Sequence, residues 1–176
     1  MRNQTLENYL EDLASKQPAP GGGAAAAFSG AQGAALIEMV CGLSIGKEKY
    51  KEHEAELMKT SSRATDIRSR CLELAEEDKI AFTNVMKVYR SKENVQRALM
   101  DAAEPPHELA QLAIEISKIA ERTLPISNSN VASDLEISML LATATLESSI
   151  LNIEANLKHI TDEAFATDKR KLYLGR

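Results

Sequence analysis

No block of lysine and arginine longer than the run Lys169 to Lys171 occurs in this chain, and its formal net charge is −5. It therefore lacks the electrostatic footprint of a protein that binds nucleic acid or acidic membranes. Cysteine is nearly absent: the two present, Cys41 and Cys71, sit within apolar helical patterns. No charged start followed by an apolar core opens the chain, so the expectation is a reduced, cytoplasmic protein. The three histidines, His53, His107 and His159, stand far apart and share no metal-ligand spacing with one another or with the cysteines, so no metal site is expected. The single glycine run lacks a Gly-Lys-Ser/Thr ending and follows no strand, which removes both nucleotide-binding fingerprints. No segment alternates apolar and polar residues as a half-buried strand does. There is no internal repeat and no low-complexity linker, and 176 residues fit one domain spanning the whole chain, 1–176.

What the chain does have is helical periodicity almost throughout. Leu6, Tyr9, Leu10 and Leu13 recur at three and four residues and predict a short amphipathic helix ending before Pro18. An alanine-rich helix follows. Beyond the polar break Gly46 to Lys49, apolar residues at Leu57, Ala64, Ile67, Cys71, Leu74, Ala81, Val85 and Val88 predict one long bundle-type helix. Pro105 and Pro106 are read as the start of another, carried by Leu109, Leu112, Ala113, Ile116 and Ile119 and stopping before Pro125. Asn130 or Ser133 is placed to cap a last long helix running to about Ile160. The fold class is all-α, an antiparallel up-and-down bundle of long helices, with a charged end, Thr167 to Arg176, that frays or docks.

The stretch Ala24 to Ile45 is about long enough to cross a bilayer. Its content is Ala and Gly rather than Leu and Phe, with Glu38 near its centre, which favours a buried helix packed closely on its neighbours.

Three features break the bundle pattern. The first is Pro18-Ala-Pro-Gly-Gly-Gly23, three glycines running into a helix. As a turn and helix start it needs no further explanation; as a site, Gly21, Gly22 and Gly23 give a loop free of side chains with backbone N–H groups open to an anionic ligand. The second is Asp78. Stepping by sevens, Leu57, Ala64, Cys71, Asp78 and Val85 share one seam position, so a carboxylate stands where its register neighbours are apolar. It must be protonated, paired in a core ion pair, or facing a cavity where a raised pKa suits a general acid or base. The third is a stripe on the last helix, Asp134, Ser138, Thr145, Ser149, Asn152 and Asn156, within a sector of roughly 60°. Hydroxyls and amides fit either a polar cleft or a buried interhelical network, and Asp134 also suits a helix N-terminus.

Taken in order, Pro20-Gly-Gly-Gly23 before a helix with Glu38-Met39, then Asp78-Lys-Ile-Ala-Phe82, then Asn128 six before the Asp134 of Ser133-Asp134-Leu135, then Asn152-Ile-Glu-Ala-Asn156-Leu157 resemble the cyclodeaminase family. This family comprises the C-terminal domain of formiminotransferase-cyclodeaminase and stand-alone bacterial relatives, some called methenyltetrahydrofolate cyclohydrolases. The resemblance covers almost the whole chain. It implies a dimerising helical bundle with a folate site where the glycine loop, the Asp78 region and the last helix converge. One departure stands out: Val88-Tyr-Arg-Ser-Lys92 joins almost directly to Glu93-Asn-Val-Gln96, where relatives carry a longer connection with a Leu-Pro-Lys turn. Either that loop is shorter here or a segment is missing from the chain, and a lysine role from that loop is not transferred.

The chemistry implied by the resemblance is one-carbon transfer on tetrahydrofolate, with no cofactor beyond that substrate. Cyclodeamination of 5-formimino-tetrahydrofolate gives 5,10-methenyl-tetrahydrofolate and ammonia; cyclohydrolysis opens the same methenyl ring to 10-formyl-tetrahydrofolate. The expectation leans to the cyclodeaminase. It gives Asp78 the main acid/base role and Asp134 a second one, orienting the pterin or balancing a cationic carbon. Asn128, Asn152 and Asn156 would hydrogen-bond the pterin edge, Ser133 would join the substrate contacts, and the amides of Gly21 to Gly23 would face the substrate backbone or its glutamate carboxylates. The partners implied are the folate substrate and a second copy of the chain. Two readings of other classes stay open: a helical dimerisation module without activity, and a folate carrier without turnover.

Overall fold

The computed structural model describes residues 1 and 3–174, and among them every regular element is helical. Helix α1 (Leu6–Ala14) opens on Thr5, whose Oγ1 accepts from the Asn8 N–H at 3.2 Å. It folds one buried residue, Tyr9, edge-on against Phe28, with ring centroids 4.6 Å apart. The bundle proper is α2 (Gly22–Gly42), α3 (Glu54–Ser91), α4 (Val95–Thr123) and α5 (Ala132–Leu157). α2 packs between α3 and α5, and so does α4, with a smaller diagonal contact of α2 on α4. Close approaches of Gly33 to Ser138, Ala26 to Thr145 and Gly22 to Asn152 run in opposite senses along α2 and α5, so the pair is antiparallel.

α2 sits so close to its neighbours because it is built from small residues. A Cβ added at Gly30 would stand 3.2 Å from both Cys71 Sγ and Thr145 Cγ2, and one at Gly33 would stand 3.3 Å from the Ser138 carbonyl oxygen. The approach is stitched by hydroxyls of α5: Ser138 Oγ donates to the Gly33 carbonyl at 2.8 Å and Thr145 Oγ1 to the Ala26 carbonyl at 3.3 Å. α2 is long and apolar enough to cross a membrane, yet 56% of that window is buried inside the bundle. Its Glu38 accepts from Thr65 at 2.9 Å and from Arg68 Nε at 2.6 Å.

Two expectations about helix ends are corrected. Pro105 and Pro106 do not begin α4; they lie buried inside it, ten residues beyond its start at Val95. The helix continues through them because its buried apolar face, from Leu99 through Ile119, packs on both α3 and α5, and tertiary packing outweighs the lost amide bonds. Nor does Asn130 or Ser133 cap α5, whose N-cap residue is Val131 without a side-chain bond. Asn128 takes that work one turn earlier, its Oδ1 accepting from the Asn130 N–H at 3.1 Å to open the 3-10 turn Ser129–Val131.

The connection from α3 to α4 is three residues, with Lys92 and Asn94 both in the left-handed region at φ 60° and 54°. The charged end docks as α6 (Glu163–Arg170): Lys169 Nζ meets Glu104 at 2.6 Å, while Arg170 and the Tyr173 hydroxyl both reach Glu154, at 2.8 and 2.6 Å. The last two residues of the Thr167 to Arg176 segment, 175 and 176, lie outside the described residues.

The tight α2 packing makes Gly30→Leu a direct check. Forcing a side chain into Cys71 and Thr145 is expected to cost about 1–3 kcal/mol, read as a drop in the thermal unfolding midpoint. The docked end gives another: the Arg170 and Tyr173 bonds hold the Glu154 carboxyl down at about 2, from 4.5. A depressed carboxyl stabilises the fold above its unfolded pKa and loses that contribution as pH falls through the folded value, so amide exchange in α6 is expected to rise between about pH 4.5 and 2.

Candidate active site

The glycine run ends as the first turn of α2. Gly21 is its N-cap residue and accepts from the Ala25 N–H at 3.1 Å, leaving the N–H groups of Gly22, Gly23 and Ala24 without an intrahelical acceptor. Directly over this turn comes Asp78, from the middle of α3. A Cβ built on Gly23 would stand 2.6 Å from Asp78 Oδ1 and closer still to the rest of the carboxylate. Gly23 is thus the glycine the site requires; a Cβ on Gly22 would meet only Asn152 Oδ1, at 3.9 Å, and one on Gly21 nothing within 4 Å.

Asp78 makes no hydrogen bond or ion pair among the described residues, so the alternative of a register-fixing core ion pair does not describe it. It faces a cavity of about 670 Å³. Burial raises its pKa above the usual carboxylate value, even though the positive end of α2 beside it favours the charged form.

The cavity's walls follow from helical spacing. Phe82, Val85, Met86 and Tyr89 continue the Asp78 face of α3 for three turns, Leu99 and Ala102 come from α4, and Asn152, Ala155 and Asn156 come from the end of α5. His159, just past α5, completes the wall, and Pro18 and Ala19 close it from the glycine loop. Phe82, Met86 and Tyr89 are 39%, 42% and 45% exposed and give the cavity an apolar wall along α3. Among the described residues, no lysine or arginine lines the cavity, and its titratable side chains are Asp78, Tyr89 and His159.

Of the residues singled out in the sequence, Gly21, Gly22, Gly23, Asp78, Asn152 and Asn156 converge here. Asn128, Ser133 and Asp134 do not. Asn128 lies at the other end of the bundle, its backbone N–H donating to Ser44 Oγ at 2.8 Å and its Nδ2 to the Leu43 carbonyl at 3.4 Å. Asp134 is in the first turn of α5, about 27 Å along the helix from Asn152. The middle of the polar stripe, Ser138, Thr145 and Ser149, is buried and bonded to backbone carbonyls; only its far end is a cleft. His159 and the Phe82, Met86, Tyr89 wall were missed. Both were available: His159 extends the Asn152, Asn156 spacing by one turn, and the wall extends Asp78 by steps of three and four. Among the described residues, no three His, Cys, Asp or Glu side chains are placed to hold a metal ion.

Residues 5–173 match the model of one protein family, formiminotransferase-cyclodeaminase. The chain belongs to that family. Among its relatives is the methenyltetrahydrofolate cyclohydrolase of Methylorubrum extorquens, 39% identical over 96% of this chain and 86% of that protein. The formimidoyltransferase-cyclodeaminases of Sus scrofa and Gallus gallus are 23% and 24% identical, and this chain spans about a third of their length. Among solved structures, the formiminotetrahydrofolate cyclodeaminase of Thermotoga maritima superposes with a TM-score of 0.94 at 31% identity, covering 97% of this chain and 87% of that one. The bundle is therefore that of a family member, and relatives with enzyme names match it over nearly its whole length.

The Gly23 contact yields a prediction. In Gly23→Ala the new methyl group meets the Asp78 carboxylate, so Asp78 must turn away; the variant is expected to keep the helical circular dichroism of the parent and to lose turnover by tenfold or more, about 1.4 kcal/mol in the barrier. Gly42→Ala, at the far end of α2 where nothing lies within 4 Å, is the matched control and is expected to change turnover little.

Proposed function

We propose that this chain is a tetrahydrofolate one-carbon enzyme acting at the carbon between N5 and N10 of its substrate, with Asp78 as the group that moves the proton. The observation that carries the reading is the Asp78 carboxyl, unpaired, raised in pKa by burial and facing a cavity at the open N-terminus of α2. Among the described residues the cavity wall carries no lysine or arginine, which suits a substrate whose reacting carbon is cationic.

In the hydrolytic direction, water adds to the methenyl carbon of 5,10-methenyl-tetrahydrofolate and gives one proton to the Asp78 carboxylate. The bond from that carbon to N5 then breaks, N5 takes the proton from Asp78, and the hydroxyl loses its own to solvent as it becomes the formyl carbonyl of 10-formyl-tetrahydrofolate. Relatedness of 39% to a methenyltetrahydrofolate cyclohydrolase makes this the first reading. The second, favoured by the 31% identical cyclodeaminase structure, uses the same carbon: N10 attacks the carbon of the protonated formimino group of 5-formimino-tetrahydrofolate, the N10 proton passes through Asp78 to the departing nitrogen, which already carries two hydrogens, and ammonia leaves the cationic methenyl ring. Both steps run on proton transfer alone, so we assign no cofactor beyond the substrate. Asn152 and Asn156 take the pterin edge, and the amides of Gly21 to Gly23 take the substrate backbone or its glutamate carboxylates. Cys41 and Cys71 are free and buried, their thiols pushed up to about 11 and 12; two inert thiols fit our assignment of the enzyme to the cytoplasm.

We further propose a homodimer through α5. Ile137, Leu140 and Leu151 stand 45%, 69% and 73% exposed on its outer face, at coiled-coil spacing with the small, exposed Ala144 between them. An antiparallel pairing of two α5 helices about Ala144 sets Ile137 near Leu151 of the partner subunit. The same pairing brings the partner subunit's Ser133 and Asp134 level with Ala155 at the cavity wall, within reach of substrate. Leu140→Glu is expected to shift the protein from dimer to monomer in light scattering and to lower activity; a wild-type monomer would remove Ser133 and Asp134 from the site.

The function is tested by following the near-ultraviolet band of the methenyl ring in separate reactions. Enzyme-dependent loss from 5,10-methenyl-tetrahydrofolate supports the cyclohydrolase, gain from 5-formimino-tetrahydrofolate the cyclodeaminase, and no change in either refutes the enzyme reading. Asp78→Asn is expected to lower turnover by about 10²–10⁴-fold. It should also stabilise the protein. A carboxyl whose folded pKa is raised supports folding below its unfolded pKa and loses that support as pH rises through the folded value. At neutral pH the neutral amide removes this burden, and the unfolding midpoint is expected to rise.

A further inference from the structure

We infer that the Pro105-Pro106 pair in α4 locks the Asn156 amide so that only its oxygen is free to the cavity, making Asn156 a specificity residue that reads a nitrogen-bound hydrogen on the ligand's ring. The inference rests on the folate reading above and adds which edge of the ring is read and by what device.

The device begins with the missing amides. In a regular helix the N–H of residue 106 donates to the carbonyl of residue 102, and that of residue 105 to residue 101. Proline supplies neither. Asp101 is exposed, so water can meet its carbonyl, but Ala102 is buried on the cavity side. Its carbonyl oxygen is met by Asn156 Nδ2, which reaches across from α5 at 3.1 Å. The same nitrogen donates to the Asn152 carbonyl at 3.1 Å. Two carbonyl oxygens can be satisfied only by the amide nitrogen, so the network fixes which way the side chain is turned. Both its hydrogens are then spent.

What Asn156 can offer a ligand is therefore an acceptor. It stands one helical turn, about 6 Å, beyond Asn152, which itself lies beside Gly22 and the Asp78 contact. With the reacting N5 edge of a pterin at Asp78, the far end of the ring, which carries the 2-amino group, falls to Asn156 Oδ1. An analogue without that amino donor would leave this acceptor buried and unmet.

The test uses calorimetric titration with 5-formyl-tetrahydrofolate and with its 2-desamino-2-methyl counterpart, alongside side-chain amide exchange by nuclear magnetic resonance. Wild type is expected to favour the amino form by tenfold or more and to exchange the Asn156 NH2 hydrogens slowly. Pro106→Ala returns an N–H to the Ala102 carbonyl; its Asn156 hydrogens should exchange faster and its preference should fall severalfold, with an unfolding midpoint no lower than wild type's. Asn156→Leu should bind both forms alike. Wild type binding both forms equally, Asn156→Leu keeping the preference, or Pro106→Ala keeping both slow exchange and preference would each overturn the inference while leaving the folate reading intact. Wild type binding neither form would overturn the folate reading, and the ligand half of this inference with it, even where slow exchange upholds the lock.

Discussion

The contact between the Asp78 carboxylate and the bare Cα of Gly23 is where the architecture and the chemistry of this protein meet. A carboxylate can reach the N-terminus of α2 only if α3 passes close over it, and α3 can pass that closely only if no side chain intervenes. The contact half-buries Asp78 without giving it a partner, which raises its pKa, and the group faces the cavity rather than the core. In most bundles a seam carboxylate would be either lost or paired. Here the bundle leaves it unpaired at the wall of a cavity, where we propose that it exchanges protons with a bound molecule.

The rest of the fold supports that approach. Along α2, Gly30 and Gly33 let Cys71, Thr145 and Ser138 press in, and α5 adds hydroxyl bonds to α2 carbonyls at Gly33 and Ala26. The stripe of hydroxyls and amides on α5 thus has two jobs set by depth. Where α2 covers it, its groups bond backbone; where α2 ends at Gly22, Asn152 and Asn156 emerge into the cavity. α6 fastens the same end from outside through Glu104 and Glu154, so the wall is held on both sides.

Much of this was legible in the sequence because the relevant signals are periodic. Asp78 announced itself by breaking a seven-residue seam, and α2 by its small residues. The cavity residues of α5 were visible as a polar sector, but its depth was not: nothing in the spacing of Ser138, Thr145 and Asn152 says which of them α2 will cover. Asn128 was misleading for a related reason, since an asparagine that satisfies backbone around Ser44 and Asn130 looks in sequence like one that binds a ligand. Pro105 and Pro106 were read by local preference, whereas packing on two neighbouring helices carries α4 through them and Asn156 covers one of the carbonyls they leave. That compensation joins residues 54 apart and belongs to tertiary structure.

The central claim is that burial against Gly23 keeps Asp78 able to hold a proton in the range where the enzyme works. The most direct measurement is a carbon-13 titration of the Asp78 side-chain carboxyl by nuclear magnetic resonance in the intact, ligand-free protein. The account predicts a midpoint clearly above about 3.9, the ordinary value for aspartate, falling toward it in Gly23→Ala as the side chain turns to solvent. A wild-type midpoint at or below that value would mean that the positive end of α2 outweighs burial, and would contradict Asp78 as the proton-transfer group.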